Sequence, residues 1–227
     1  MNLRIGITDD HTLFRKSLKF LINSFDNMEV KLDADNGIEL LENLKSISID
    51  VLLLDLQMPE MDGFEACKRL NEFYPEIKIL VLTHLDEKET IRRVLDLNIQ
   101  GYFTKNTDPQ ELQHAILKLN NNGFYFEKNL TSVIDFIKDN PETEVETEII
   151  KTFSKREMQI LKLTIEEYSG MEIANKLFIS PKTVEKHKRN LMDKSNSKNF
   201  IGVIIYALQQ NILSIERLKN NTTLYKR

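Results

Sequence analysis

The first 120 or so residues alternate short apolar runs with longer stretches in which apolar residues recur every three or four positions. The short runs are typical of buried strands, and the longer stretches are typical of amphipathic helices. Five strands are predicted, at residues 3–7, 29–32, 51–54, 77–82 and 101–103. A stretch with helical spacing follows each strand. The last of these helices is predicted to begin at Pro109, with Asp108 as its N-cap. This alternation predicts an α/β fold with a doubly wound, five-stranded parallel sheet.

The pattern changes after residue 122. A weaker helical stretch covers about 128–138, and residues 139–148 then hold five acidic residues, one proline and no basic residue, which indicates a solvated linker. From Ser154 onward the spacing is helical throughout, with breaks near residues 169, 180 and 196. We therefore expect a first domain over 1–122, a helical and acidic linker over 123–150, an all-α domain over 151–215 and a tail over 216–227.

The net charge of −4 conceals two halves of opposite sign. Residues 151–227 carry 15 Lys and Arg against seven Asp and Glu, a net charge of +8, so residues 1–150 carry −12. Such a division favours two domains with different partners. The basic half is a candidate for binding the phosphate backbone of nucleic acids.

Other features of the sequence bear on the compartment. No apolar run approaches the roughly 20 residues of a membrane span, and Asp9 and Asp10 interrupt any secretory signal. The single cysteine, Cys67, lies in an apolar helical stripe, so we expect a core thiol and no internal disulfide. We expect a cytoplasmic protein without a membrane partner.

Polar side chains follow four of the five predicted strands. Asp9 and Asp10 follow the first, Asp55 the third, Thr83 the fourth and Lys105 the fifth. Each acid alone could be a helix cap and Lys105 alone a surface lysine, but the carboxyl ends of parallel strands meet at one sheet edge. Carboxylates gathered there require a hard cation, and Mg²⁺ suits oxygen ligands. Asp55 could be a nucleophile toward a phosphoryl group whose oxygens Lys105 and Thr83 contact.

The basic half begins with two capping-box signatures, Ser154 with Glu157 and Ser169 with Glu172, and Pro181 opens a third helix after a tight turn. Two short helices, a turn and a cationic third helix are typical of a helix-turn-helix.

On the third helix, Val184, His187 and Leu191 share one face, which we expect to pack inward with His187 as a core histidine. A charged helix is often merely solvated, but its place after a turn in a basic domain favours DNA binding. The candidate DNA contacts are Lys182, Thr183, Lys186, Arg189, Asn190 and Lys194.

Four segments resemble the receiver domain of two-component response regulators, and the resemblance covers residues 2–120. They are Thr8-Asp9-Asp10-His11, Asp55-Leu56-Gln57-Met58-Pro59-Glu60-Met61-Asp62-Gly63, Leu82-Thr83 and Gly101-Tyr102-Phe103-Thr104-Lys105. The resemblance implies a flavodoxin-like fold and a histidine kinase as partner. It also implies a role for each site residue. Asp55 would be the phosphoacceptor, and Mg²⁺ would be bound by Asp9, Asp10, Asp55 and the backbone carbonyl of Gln57. Thr83 and Tyr102 would form the switch pair, and Lys105 would contact the phosphoryl group. His84 departs from the small residue usual after the switch threonine and could restrict access to Asp55.

Residues 153–213 resemble the C-terminal domain of NarL/FixJ (LuxR-type) regulators. The resemblance rests on residues 154–157, 172–177, 179–187 and 190–194. It implies a four-helix domain that binds double-stranded DNA, and a homodimer when phosphorylated or DNA-bound. Ser195 and Asn196 replace a usual leucine and glycine, so a looser junction is expected there. Glu185 replaces a lysine common in the family, which removes one contact to DNA.

The sequence opposes three other functions. A haloacid-dehalogenase-type phosphatase needs a second aspartate where Gln57 stands, and no glycine-rich loop for a nucleotide follows the first strand. A regulator independent of phosphorylation, with a decayed receiver, is opposed by the full set of acidic and lysine residues. The sequence therefore predicts a phosphorylation-activated transcriptional regulator that is not an enzyme.

Overall fold

The computed structural model describes residues 2–83, 97–105, 108–122, 125–126, 153–166, 168–210 and 212–213. The described residues up to 126 belong to one compact unit and those from 153 onward to another. The helical stretch predicted between the fourth and fifth strands, the one over 128–138, the acidic segment, His84 and the tail lie outside the described residues.

The first unit is built on a parallel sheet with the strand order β2-β1-β3-β4-β5-β6. The strands are β1 Leu3–Thr8, β2 Met28–Ala34, β3 Val51–Asp55, β4 Lys78–Thr83, β5 Gly101–Thr104 and β6 Tyr125–Phe126. The five predicted strands are confirmed, in the order of flavodoxin-like sheets. The two-residue β6 was not predicted. It runs so close to β5 that a Cβ on Gly101 would lie 2.4 Å from the Tyr125 carbonyl oxygen.

Four described helices accompany this sheet: α1 Thr12–Asn23, α2 Gly37–Leu44, α3 Gly63–Phe73 and α4 Pro109–Asn122. Leu18 and Ile22 of α1 share one core cluster with Ile116 of α4 and with Leu53 of β3. Side chains alternate along a strand, so Leu52 and Leu54 point to the opposite face. The apolar residues 51–54 are all fully buried, and this fixes the position of Asp55 at the end of β3.

The second unit contains four helices: α5 Lys155–Ile165, α6 Gly170–Leu177, α7 Pro181–Lys194 and α8 Phe200–Gln209. Both predicted capping boxes are present at the starts of α5 and α6. The turn after α6 passes through Phe178 in the left-handed conformation, with φ 54°. α7 packs against both α5 and α6. The all-α helix-turn-helix prediction is confirmed.

The junction after α7 explains one sequence departure. Ser195 is buried, and its hydroxyl donates to the Leu191 carbonyl at 2.8 Å. Asn196 has φ 50°, the left-handed conformation for which glycine is the usual residue and asparagine a tolerated one. The bond from the Ser195 hydroxyl and the left-handed backbone of Asn196 therefore end the helix, where the family usually has a leucine and a glycine.

Within the described part of the chain, no helix is both long and apolar enough to cross a membrane.

Candidate metal centre and nucleic-acid interface

The ends of β1, β3 and β5 bring together two carboxylates and one ammonium. Lys105 Nζ lies 2.7 Å from Asp55 Oδ2 and 2.9 Å from Asp9 Oδ2. Asp9 is fully buried, and Asp55 is 3% exposed. The structure thus assembles at one sheet edge three groups that are distant in sequence.

The charges at this edge depend on one another. Burial raises the pKa of Asp55, the ion pair with Lys105 opposes that shift, and the nearby Asp9 carboxylate adds to it, leaving the pKa above its ordinary value. For Lys105, burial alone would lower the pKa, but the ion pairs with Asp55 and Asp9 outweigh burial and raise it. Lys105 therefore stays charged and compensates for one of the two buried carboxylates.

Asp10 and His11 complete the mouth of this pocket. The Asp10 side chain is one-third exposed, and His11 Nδ1 lies 2.8 Å from Asp10 Oδ1 and 3.4 Å from Asp9 Oδ1. One donor atom from each of Asp9, Asp10, His11 and Asp55 lies within 4.8 Å of the others. Three carboxylates at this spacing are a suitable oxygen donor set for a divalent cation such as Mg²⁺. His11 was not singled out as a donor from the sequence; its place beside Asp10 was the available signal.

The loop after β3 is held close to Asp55. The Gln57 backbone N–H donates to Asp55 Oδ1 at 3.3 Å, and Gly63 N–H donates to the Leu56 carbonyl at 3.1 Å. A Cβ on Gly63 would lie 2.1 Å from the Asp55 carbonyl oxygen, so α3 begins directly against the β3 backbone. Glu60 has φ 63°, which lets the loop turn back within a few residues.

Arg15 is a second residue that sequence reasoning missed. Its guanidinium donates to the Asp9 carbonyl, forms an ion pair with Asp35 and lies 3.9 Å from the Asp33 carboxylate. The side chain is 8% exposed. Arg15 falls on the same helical stripe as Leu18 and Ile22, and a charged residue on a buried face was the signal.

The predicted switch pair is only partly visible. Thr83 ends β4, but its side chain lies outside what the structure describes. Tyr102 is buried on β5, paired in register with Val81 of β4. The assignment of Thr83 and Tyr102 as a switch pair stays a prediction.

In the second unit, α7 presents a cationic stripe. Lys182, Lys186 and Arg189 are exposed at helical spacing, while Val184 and Leu191 on the opposite side are fully buried. These three side chains form the surface that we call the cationic stripe. It has the position and charge expected of a helix that enters the major groove of DNA.

The inward face of α7 differs from the expectation. Lys188, which was not expected on this face, is buried with its side chain 6% exposed, whereas His187 is half-buried. Burial lowers the pKa of Lys188, and the Glu185 carboxylate at 3.5 Å opposes that shift. His187 Nδ1 is nevertheless buried, so the imidazole lies at the edge of the core.

Of the other three candidate DNA contacts, Lys194 and Thr183 have partners within the domain. Lys194 Nζ lies 2.7 Å from the buried Glu157 carboxylate on α5. Burial opposes ionisation of Glu157, but Lys194 and Ser154 outweigh it and hold its pKa below the ordinary value. Thr183 Oγ1 lies 2.8 Å from Ser180 Oγ, and Asn190 is half-buried. Any contact of Lys194 with DNA competes with an internal ion pair.

Comparison with known proteins agrees with this architecture. Residues 5–117 match the model of the response regulator receiver domain, and residues 151–207 match that of bacterial regulatory proteins of the luxR family. The oxygen regulatory protein NreC of Staphylococcus aureus is 36% identical over 215 residues, covering 93% of this chain and 99% of NreC.

Two solved structures of RcsB resemble the chain. RcsB from Salmonella enterica serovar Typhimurium, bound to promoter rprA in the presence of the phosphomimetic BeF3⁻, is 26% identical with a TM-score of 0.53, covering 91% of this chain and 98% of that one. A structure of two RcsB dimers bound to two parallel DNAs gives 25% identity and a TM-score of 0.55, covering 94% and 100%.

The chain belongs to the two-component response regulators, and among them to those of the NarL/FixJ type with a LuxR-type DNA-binding domain. It is a phosphorylation-dependent regulator of transcription. A histidine kinase is the partner that its receiver domain implies.

Proposed function

We propose that this chain accepts a phosphoryl group on Asp55, with Mg²⁺ held by Asp9, Asp10, Asp55 and the backbone carbonyl of Gln57. The observation that carries the proposal is the Asp55 carboxylate itself, fixed at the end of a buried strand, in contact with Lys105 and within 4.8 Å of donor atoms of Asp9 and Asp10. This intact arrangement favours phosphorylation over a regulator with a decayed receiver.

The step would be an in-line transfer to an Asp55 carboxylate oxygen from a phosphohistidine, whose imidazole is the leaving group. When bound, Mg²⁺ offsets the charge on the phosphoryl oxygens. Lys105 moves from its carboxylate partners to a phosphoryl oxygen, and the Thr83 hydroxyl donates to another. Tyr102 then occupies the space that Thr83 leaves, and the surface nearby changes.

We propose a regulator and not an enzyme that hydrolyses phosphate esters. A phosphatase with an aspartyl nucleophile requires an acid or base two residues beyond that nucleophile. Gln57 occupies this place, and its backbone N–H is bonded to the Asp55 carboxylate. An amide side chain cannot supply the proton transfer such an enzyme needs.

Intact-mass analysis after incubation with Mg²⁺ and acetyl phosphate tests the acceptor. The wild-type chain should gain one phosphoryl group and Asp55→Asn none, while Asp26→Asn, which removes an exposed carboxylate elsewhere in the unit, should label normally. Excess chelator should abolish labelling, and Asp10→Ala should weaken Mg²⁺ binding about tenfold or more. Labelling of Asp55→Asn at the wild-type level would refute the assignment.

The two family matches and the two compact units support a layout of two domains. We propose a receiver over 1–122, a helical and acidic linker over 123–150, a LuxR-type domain over 151–215 and a tail over 216–227. By analogy with the RcsB dimers on DNA, we propose a homodimer when phosphorylated or DNA-bound. Because its target is chromosomal DNA, we propose that the protein acts in the cytoplasm.

The cationic stripe would read the major groove of double-stranded DNA. Lys186 and Arg189 lie in the middle of α7 and are proposed to contact bases. Lys182 lies at the helix start and is proposed to contact phosphate. Thr183 and Asn190 would add polar contacts, and Lys194 a phosphate contact after release from its internal ion pair.

Gel-shift titrations of the phosphorylated chain at two salt concentrations separate these roles. Lys186→Ala and Arg189→Ala should each cost about 1–3 kcal/mol on the specific site and less on random DNA. Lys182→Ala should weaken binding to all DNA sequences alike, and should lower by about one the slope of log affinity against log salt concentration. Lys162→Ala removes an exposed cation from α5 and should change neither quantity. Equal loss of specificity from Lys182→Ala and Arg189→Ala would show that α7 is oriented differently in the groove.

A further inference from the structure

We propose that His11 makes the acidic pocket a mixed nitrogen and oxygen site, in which its Nδ1 is an additional ligand for borderline divalent cations such as Co²⁺, Zn²⁺ and Ni²⁺. The inference rests on the proposed function, because Asp9, Asp10 and Asp55 supply the remaining ligands. It goes beyond that function by assigning a further ligand and a second class of metal ion.

The donor atoms lie near the spacing of a coordination shell. Ligands bound to one ion at about 2.0–2.2 Å are separated from their neighbours by roughly 2.9–3.5 Å in tetrahedral or octahedral geometry. His11 Nδ1 lies 2.8 Å from Asp10 Oδ1 and 3.4 Å from Asp9 Oδ1. A carboxylate oxygen of Asp55 completes a group in which all four donors are within 4.8 Å of one another. Small side-chain adjustments would place all four around one ion.

His11 is also held in place by its backbone. It is the N-cap residue of α1, with extended φ and ψ, and its N–H donates to Asp9 Oδ1 at 2.8 Å. Its side chain makes no capping bond to the helix, so the Nδ1 atom does not serve the helix start. The imidazole is 68% exposed, which leaves an open path for an ion and for the waters that complete its shell.

The chemistry of the ligands sets two classes of metal apart. Mg²⁺ prefers oxygen ligands and keeps several of its waters, so an imidazole adds little to its affinity. Co²⁺, Ni²⁺ and Zn²⁺ bind imidazole nitrogen strongly. His11 should therefore matter for the second class and not for Mg²⁺, whereas Asp10 should matter for both.

Calorimetric titration of the full chain with Co²⁺ and, separately, with Mg²⁺ tests the inference. Loss of an outer-shell partner lowers metal affinity 10- to 100-fold, so His11→Ala, which removes a direct ligand, should weaken Co²⁺ binding at least tenfold. Mg²⁺ affinity should stay within about twofold, and the visible absorption of bound Co²⁺ should change. His114→Ala, which removes an exposed histidine of α4, should leave both metals and the spectrum unchanged.

The outcomes are separable. An unchanged Co²⁺ affinity in His11→Ala, or equal losses for Co²⁺ and Mg²⁺, would overturn the ligand role and leave His11 as an ion-pair partner of Asp10. If the pocket binds metal, Asp10→Asn should lower the affinity for both Co²⁺ and Mg²⁺. Binding that is insensitive to Asp10→Asn would instead overturn the metal pocket of the proposed function.

Discussion

Gly63 opens α3 at the point where that helix meets the backbone of the proposed phosphoacceptor. A Cβ at this position would lie 2.1 Å from the Asp55 carbonyl oxygen and 2.7 Å from Leu56 Cα. Real Cβ atoms essentially never approach within 3.0 Å of such atoms. Because both contacts are to backbone, Gly63→Ala must push the helix start and the end of β3 apart by roughly 1 Å.

The expected effects follow from that displacement. Overpacking of this kind costs about 1–3 kcal/mol, and 1 kcal/mol lowers the Tm of a domain near this size by roughly 4 °C, so the receiver should melt about 4–12 °C earlier. A shift of about 1 Å in a reacting group can cost on the order of 10²-fold in rate. Phosphorylation of Asp55 by acetyl phosphate should slow accordingly, as measured by intact mass against time.

Gly170→Ala is the matched control. A Cβ there meets Glu185 Oε1 at 3.4 Å, the end of a flexible side chain, and alanine is the better helix former. The control should label at the wild-type rate without loss of Tm. If Gly63→Ala also labelled and melted as the wild type does, the close approach of α3 to Asp55 would be refuted.

Three further predictions concern buried polar groups. Arg15→Gln should lower Mg²⁺ affinity severalfold in a calorimetric titration, because the Asp9 carbonyl loses its hydrogen-bond donor. Arg4→Gln breaks an ion pair of 2.6 Å with Asp50, away from the acidic pocket, and should leave Mg²⁺ affinity unchanged. Equal losses of affinity in the two variants would contradict a specific role for Arg15. Burial lowers the pKa of Lys188 in the folded state, so the unfolded state binds more protons and stability should rise with pH up to the unfolded pKa of about 10.4. Lys188→Met should lack that rise in denaturant titrations from pH 8 to 10, and an identical rise would exclude Lys188 as its source. Burial raises the pKa of the Cys67 thiol to about 12. Thiol reagents at pH 8 should therefore react with Cys67 no faster than the receiver unfolds. Rapid labelling of Cys67 in the native chain would contradict the burial of this thiol.

The receiver was predictable because several independent signals coincide in it. Apolar runs specify β3 and β4, and an acid or a lysine at the ends of strands indicates a shared edge once the sheet is parallel. The two-residue β6 carries no alternation from which a period could be read. Arg15 pairs with Asp33 and Asp35, which strand order brings beside α1, so its place on the buried stripe did not reveal its partners. His11 stands next to Asp10 in the sequence, but only the fold places Asp55 near both.

The inward face of α7 shows a limit of periodicity. At 100° per residue, His187 and Lys188 both lie about 50° from the midline between Val184 and Leu191, on opposite sides of it. Spacing therefore cannot choose between them, and polarity favoured the histidine. The structure buries Lys188 because a lysine can pack its long alkyl stem against apolar neighbours while its ammonium approaches Glu185.

The charge in the acidic pocket gives a physical reason for the proposed metal requirement. Asp9, Asp10 and Asp55 with Lys105 carry a formal charge of about −2, which repels an incoming phosphoryl donor. A divalent cation brings the pocket near neutrality, and the phosphoryl group then adds roughly 1.5–2 negative charges. Arg15 fits the same scheme, since its ion pair with Asp35 keeps a further carboxylate at the end of β2 from adding to the repulsion. The metal and the phosphoryl group should therefore bind cooperatively, each stabilising the pocket for the other.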